Sequence, residues 1–130
     1  MTATPFTQLG GADRVRAIVE RFYDVMSERE PALAQLHECT PDRKVARGPR
    51  DRFALFLIGW LGGPQDYVAT HGHPRLRMRH GHFAVTIEMR DAWRRSMTAA
   101  LDDLAITGDV RAFLDARFAD VTDFLRNVDG

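Results

Sequence analysis

Several things are scarce in this sequence, and each absence removes a class of protein. There is one cysteine, Cys39, so no intrachain disulfide holds the fold. There is no excess of charge of either sign, with Lys+Arg at 18 and Asp+Glu at 18. A neutral chain argues against a nucleic-acid binder, which needs a basic domain or a clear basic face. There is no long hydrophobic run: the longest, Phe53 to Leu61, falls well short of the roughly 20 residues that span a bilayer. The opening "MTATPFTQLGG" has no basic flank followed by an apolar core, so no secretory signal is expected, and the expected location is the cytoplasm. Repeats and low-complexity tracts are also missing.

What is present is ordinary for a globular chain: 45% hydrophobic and 28% charged residues over 130 positions. That length predicts one domain over residues 1–130, with 1–10 as a flexible N-terminal segment. Helical periodicity dominates. Val15, Ile18, Val19, Phe22 and Met26 recur at steps of three and four and form one apolar stripe, with Tyr23 at its edge. Pro31 opens a short segment ending near His37, and residues 38–48 read as a polar loop. Pro49 suits the first position of a helix that turns apolar on nearly every side from Phe53 and stops at Gly62-Gly63-Pro64. A short helix follows, from Pro64 to about Thr70. Another starts at His73-Pro74. Thr86 caps a helix over 87–104, with Met89, Trp93, Met97, Ala100, Leu101 and Leu104 inward. After Gly108-Asp109 the last helix carries Val110, Phe113, Leu114, Phe118, Val121, Phe124, Leu125 and Val128 at helical steps. No segment reads as a paired strand, so the class is all-α.

The stretch "HPRLRMRH", residues 73–80, concentrates base in a neutral chain. On a helix Leu76, His80 and Phe83 share one face, with Arg77 and Arg79 flanking it. An imidazole on an apolar wall with guanidinium groups at the rim suits a large planar cofactor with anionic tails, and haem is one such group. The residues alone leave other readings open. A lone histidine on an apolar face is more often a hydrogen-bonded core residue, and most charge runs are solvated faces. His71, His73, His80 and His82 also cluster, but cysteine pairs and the H-E-x-x-H pattern of zinc sites are missing.

Four blocks taken together go beyond spacing. "FYDVM" at 22–26, "FLIGWLGGPQDY" at 56–67, "GHPRLRMRH" at 72–80 and "RDAWRRSM" at 90–97 resemble the truncated haemoglobins, and their second group most closely. The resemblance covers roughly residues 8–104; the final helix matches only in pattern. It implies a two-over-two helical sandwich enclosing haem b, iron protoporphyrin IX. His80 matches the proximal iron ligand, and Arg79 and Arg77 become partners for the propionates. Tyr23 and Trp93 match the family's distal tyrosine and tryptophan, and His37 stands where the family carries an aromatic residue or histidine. Phe53, Phe56, Leu57, Trp60, Tyr67, Met78, Phe83 and Met97 are the other candidates for haem contact, although each also suits plain core.

The implied function is reversible binding of oxygen and other diatomic ligands such as carbon monoxide and nitric oxide. A phenol O–H, an indole N–H and an imidazole N–H would stabilise the negative charge that oxygen acquires on ferrous haem. Slow release of oxygen suits oxygen, nitric-oxide or peroxide chemistry, or sensing, better than bulk oxygen transport. Peroxidase or nitric-oxide dioxygenase turnover would need a reductase that the sequence does not identify. The expected assembly is a monomer or homodimer without nucleic-acid or membrane partners. Two departures from the family stand out: Pro49 replaces a small or polar residue above the iron, and Phe53 replaces a smaller aliphatic one. The competing reading is a haem-free helical interaction module that keeps the fold.

Overall fold

Helix formation follows the apolar stripes. The computed structural model describes residues 3–72 and 86–125, and these form an all-α fold: α1 (Pro5–Leu9), α2 (Ala12–Arg29), α3 (Pro31–Ala34), α4 (Arg47–Trp60), α5 (Asp66–His71), α6 (Ile87–Asp103) and α7 (Gly108–Leu125). Among the described residues the only extended pairing is one bridge between Cys39 and Val45. The helix expected from His73-Pro74 lies outside the described residues, as does Val128.

The stripe of α2 is the centre of the core. Val15, Ile18, Val19, Phe22 and Met26 are at most 1% exposed. Burial of such side chains contributes roughly 1.5–3 kcal/mol each. Tyr23 and Val25 are buried as well, so α2 is covered on more than one side. It packs on α6 along one flank and on α4 along another, and α6 packs on α7. The result is the two-over-two sandwich expected from the sequence, α2 and α4 in one layer and α6 and α7 in the other. The backbone of α4 stands off α6 and α7, and side chains bridge the gap over the floor formed by α2.

The ends of the helices follow local chemistry. The Thr86 hydroxyl accepts from Met89 N at 3.1 Å, the expected cap of α6. Helix α4 starts at Arg47, so Pro49 is its third residue rather than its first. Proline fits there because first-turn N–H groups have no intrahelical acceptor. Helix α5 starts at Asp66, later than expected, because the Gln65 side chain turns back to Gly59 O and Gly63 O at 2.9 and 3.1 Å. Arg95 grips Glu30 with two bonds of 2.8 and 3.0 Å, fixing α6 to the α2–α3 junction and holding the Glu30 carboxyl below the usual range.

Two expectations change. The N-terminal segment is not featureless: Thr4 caps α1, Leu9 is buried, and Phe6 N donates to Leu61 O at 3.0 Å. On α7, Leu114, Phe118 and Thr122 form the buried line, while Phe113 and Phe124 are 42% and 55% exposed. Both phenylalanines fall about 120–140° to one side of Phe118, the middle of that line, at about 100° per residue. Periodicity counted them inward because a helix apolar on two adjacent faces does not reveal which one is covered.

Gly62 is the tight point between α1 and α4. Its φ is +103°, and an added Cβ would lie 2.9 Å from Thr4 Cβ. Gly62→Ala combines left-handed strain with that clash, so a loss of about 1–3 kcal/mol is expected. Urea unfolding should show a lowered midpoint with an unchanged slope.

Candidate functional site

The stand-off between α4 and the α6–α7 layer is a cavity of about 390 Å³. That volume is in the range of small-molecule and cofactor sites, roughly 300–1,000 Å³. Helix α2 supplies Tyr23, α3 supplies Leu33, and the chain after α3 supplies Leu36, His37 and Glu38. Helix α4 supplies Pro49, Arg52, Phe53, Phe56, Leu57 and Trp60; α6 and α7 supply Met89, Arg90, Trp93, Phe118, Val121 and Thr122.

The α4 wall is flat. Phe53, Phe56 and Trp60 are three and four residues apart, so their rings line one face. Phe53 and Phe56 lie 18° from parallel at 6.4 Å, and Phe56 and Trp60 lie 19° from parallel at 6.3 Å. Phe118 continues the ladder from α7, 5.6 Å from Trp60 and 25° from parallel. These rings line the cavity with aromatic apolar surface, the kind of surface that a large apolar cofactor contacts. This also explains why α4, apolar nearly all round, is not fully covered by protein: Phe53, Phe56 and Trp60 are half-buried because they form a cavity wall.

Two donors line the cavity from other helices, Tyr23 from α2 and Trp93 from α6. The Tyr23 ring is buried, 4.8 Å from Phe22, 5.5 Å from His37 and 6.0 Å from Phe53. Trp93 packs 4.9 Å from Phe22, 6.3 Å from Phe53 and 5.3 Å from Phe118. Among the described residues, neither the Tyr23 hydroxyl nor the Trp93 indole N–H has a hydrogen-bond partner, and both residues line the cavity. An O–H and an N–H on a largely apolar cavity are available to donate to a ligand that accepts. Burial pushes the Tyr23 phenol well above the ordinary tyrosine range, with Arg52 and Arg50 opposing that shift. It therefore remains a neutral donor at any physiological pH.

His37 is used differently. Its Nδ1 lies 3.2 Å from Leu33 O and 3.3 Å from Ala34 O. A carbonyl only accepts, so Nδ1 carries a hydrogen, and through it His37 is tied to the end of α3.

Behind Tyr23 the backbone is locked. Its carbonyl accepts from the Ser27 hydroxyl at 2.8 Å, and the Ser27 oxygen accepts from Val45 N at 3.0 Å. Val45 O accepts from Arg50 Nε at 2.8 Å. Arg50, 7% exposed, returns to α2 through Glu20 Oε1 at 2.9 Å, Asp24 Oδ1 at 2.8 Å and Glu20 O at 3.2 Å. Arg47 joins from outside, paired with Glu20 and with Asp51.

Of the residues singled out in the sequence, Tyr23, Trp93, His37, Phe53, Phe56, Leu57 and Trp60 meet on one cavity, with Pro49 beside them. Tyr67 is behind the wall, 5.5 Å from Phe56, and Met97 is buried in the core; neither lines the cavity. His80, Arg79, Arg77, Met78 and Phe83, like His73 and His82, lie outside the described residues. Sequence reasoning missed Leu33, Leu36, Glu38, Arg52, Arg90 and Thr122 as lining residues. Met89, Phe118 and Val121 were legible as inward helix positions, but nothing in their spacing tied them to a site. Among the described residues no group of histidine, cysteine, aspartate or glutamate side chains could hold a bare metal ion. Arg52, at the cavity, has no ion pair among the described residues, whereas Arg90 bonds Asp123 at 2.6 Å.

The raised Tyr23 pKa has a measurable sign. The unfolded chain releases that proton near pH 10, the folded chain only at higher pH. The associated stability is full below about pH 10 and declines as pH rises further. In Tyr67→Phe, where Tyr23 is the sole tyrosine, ultraviolet titration should show no tyrosinate at pH 10 in the folded protein and a normal transition in urea.

Comparison with known proteins gives the arrangement its context. The family model for bacterial-like globins matches residues 4–126. A group 2 truncated hemoglobin of Bacillus subtilis is 47% identical over 107 residues, 82% of this chain and 76% of that one. The cold-adapted truncated hemoglobin of Pseudoalteromonas haloplanktis superposes with a TM-score of 0.86 at 38% identity, over 97% of this chain and 99% of that one. The truncated oxygen-avid haemoglobin of Bacillus subtilis superposes with a TM-score of 0.86 at 30% identity, over 96% and 100%. With the two-over-two helices and the cavity already in place, these matches show that the chain belongs to the bacterial-like globins, among the group 2 truncated haemoglobins, and so to a family of haem-binding proteins.

Proposed function

We propose that this globin holds haem b in the cavity between α4 and the α6–α7 layer and binds oxygen, carbon monoxide and nitric oxide there. Its role is oxygen, nitric-oxide or peroxide chemistry, or sensing, rather than bulk transport. The observation that carries this reading is the pair of donors, Tyr23 O–H and Trp93 N–H, which have no hydrogen-bond partner among the described residues and line a largely apolar cavity. The near-parallel rings of Phe53, Phe56 and Trp60 fit one face of a macrocycle. Haem, when bound, would supply an iron able to take a diatomic ligand.

The residues of the chain then divide the work. His80 is the proximal ligand by resemblance, and Arg77 and Arg79 are counter-charges for the propionates. Arg52 adds a cation at the cavity that makes no ion pair with the described acids. Tyr23 and Trp93 donate to a ligand that carries partial negative charge, and the apolar walls exclude water, which strengthens both bonds. His37 packs edge-on against Tyr23 and limits the movement of the phenol. Phe53 stands between the two donors, 6.0 Å from Tyr23 and 6.3 Å from Trp93, and restricts the ligand to small molecules. Two strong donors favour slow release, and the oxygen-avid relative supports that reading by kinship. The protein acts in the cytoplasm as a monomer or homodimer, and turnover draws electrons from a separate reductase.

The visible spectrum tests the cofactor. The purified protein should show a haem Soret band that shifts on reduction and again with carbon monoxide, and His80→Gly should lose or alter it. A colourless protein that takes up no added haemin would instead mark a haem-free interaction module. The donors are tested separately by stopped flow. Tyr23→Phe and Trp93→Phe should each speed oxygen release about tenfold or more, the weight of a hydrogen bond to a charged acceptor. Unchanged rates would remove both residues from the ligand site.

A further inference from the structure

The best-buried charge in the described structure is not on the cavity. Arg50 is beneath it, with its side chain 8% exposed, and its partners come from two parts of the chain, α2 and the loop before α4. Glu20 and Asp24 are one helical turn apart on α2, so their carboxylates would repel if nothing stood between them. The guanidinium joins them, and Nε simultaneously takes Val45 O from the loop before α4. Tyr23 belongs to the same turn of α2. Its ring centroid is 5.9 Å from the Arg50 guanidinium carbon, and its carbonyl closes the Ser27–Val45–Arg50 chain of hydrogen bonds.

From this geometry we infer that Arg50 is the positioning residue for the Tyr23 phenol: it fixes the 20–24 turn of α2 against α4 and thereby sets where the hydroxyl points in the cavity. The inference rests on the haem reading only for its functional consequence. The clamp itself is a property of the protein chain. Lysine at position 50 keeps the charge but not the fork. It cannot reach Val45 O, Glu20 and Asp24 together, because its donors radiate from one nitrogen. The charge alone therefore does not replace the arginine.

The test compares wild type, Arg50→Lys, Tyr23→Phe and the double variant, with Arg50→Met added if it folds. Hydrogen exchange on the haem-free protein reads the clamp: Arg50→Lys should raise exchange at amides 20–27 and at Val45 while α6 keeps its protection. The haem-loaded proteins read the consequence. Arg50→Lys should move the C–O stretch of bound carbon monoxide toward the Tyr23→Phe value and speed oxygen release about twofold or more, the low end of coupling within one network. In the Tyr23→Phe background it should change neither. An equal effect with and without the Tyr23 hydroxyl, or unchanged exchange at 20–27, would overturn the assignment. A protein that binds no haem would defeat the haem reading, and the exchange arm would still decide the clamp.

Discussion

A single guanidinium decides how the two helices of the first layer meet. Arg50 is almost completely enclosed, and its acceptors are Glu20, Asp24 and Val45 O. A buried ion network of this kind is weak evidence for stability, because desolvation offsets much of the attraction. Its value is geometric. An apolar face allows α2 and α4 to slide and roll with little change in energy, but charged acceptors at fixed positions do not. The register of α4 on α2 places Phe53 against Phe22 at 5.5 Å and Tyr23 on the cavity wall. The cavity therefore inherits its shape from a polar contact outside it.

The site combines opposite requirements. Its walls are aromatic and planar, which favours a large apolar group and keeps water out. Its donors are few, and they have no hydrogen-bond partner among the described residues. Nearby groups that could have satisfied them are committed elsewhere: His37 to the carbonyls ending α3, Ser27 to Tyr23 O and Val45, and Thr122 to Phe118 O and Arg94. The tyrosine is further held neutral by burial. Under the proposed reading, these features make a largely apolar slot with two donors for a small ligand that carries partial negative charge.

Much of this was legible in the sequence wherever the deciding interaction is local. The α2 stripe gave the core helix because its periodicity is clean, and Thr86 gave the start of α6 because a cap acts within one turn. Phe53, Phe56 and Trp60 could be placed on one face from spacing alone. The site as a whole was legible through resemblance, since Tyr23, His37 and Trp93 are each ordinary by pattern. Other features depend on distant partners. Arg50 looks like part of a solvated charge run, and only residues 26 and 30 positions away make it a buried one. The His37 tautomer depends on two backbone carbonyls that no side-chain pattern records. Phe113 and Phe124 read as core because the helix sequence cannot say which of two apolar faces α6 covers. Tyr67 and Met97 have the composition of pocket residues, but packing puts them one layer back.

The most direct test is an experimental structure of the haem-loaded protein with carbon monoxide bound. The account predicts haem between α4 and the α6–α7 layer, His80 on the iron, and the ligand within hydrogen-bond reach of Tyr23 Oη and Trp93 Nε1. Haem seated elsewhere, or a ligand that touches neither donor, would contradict it.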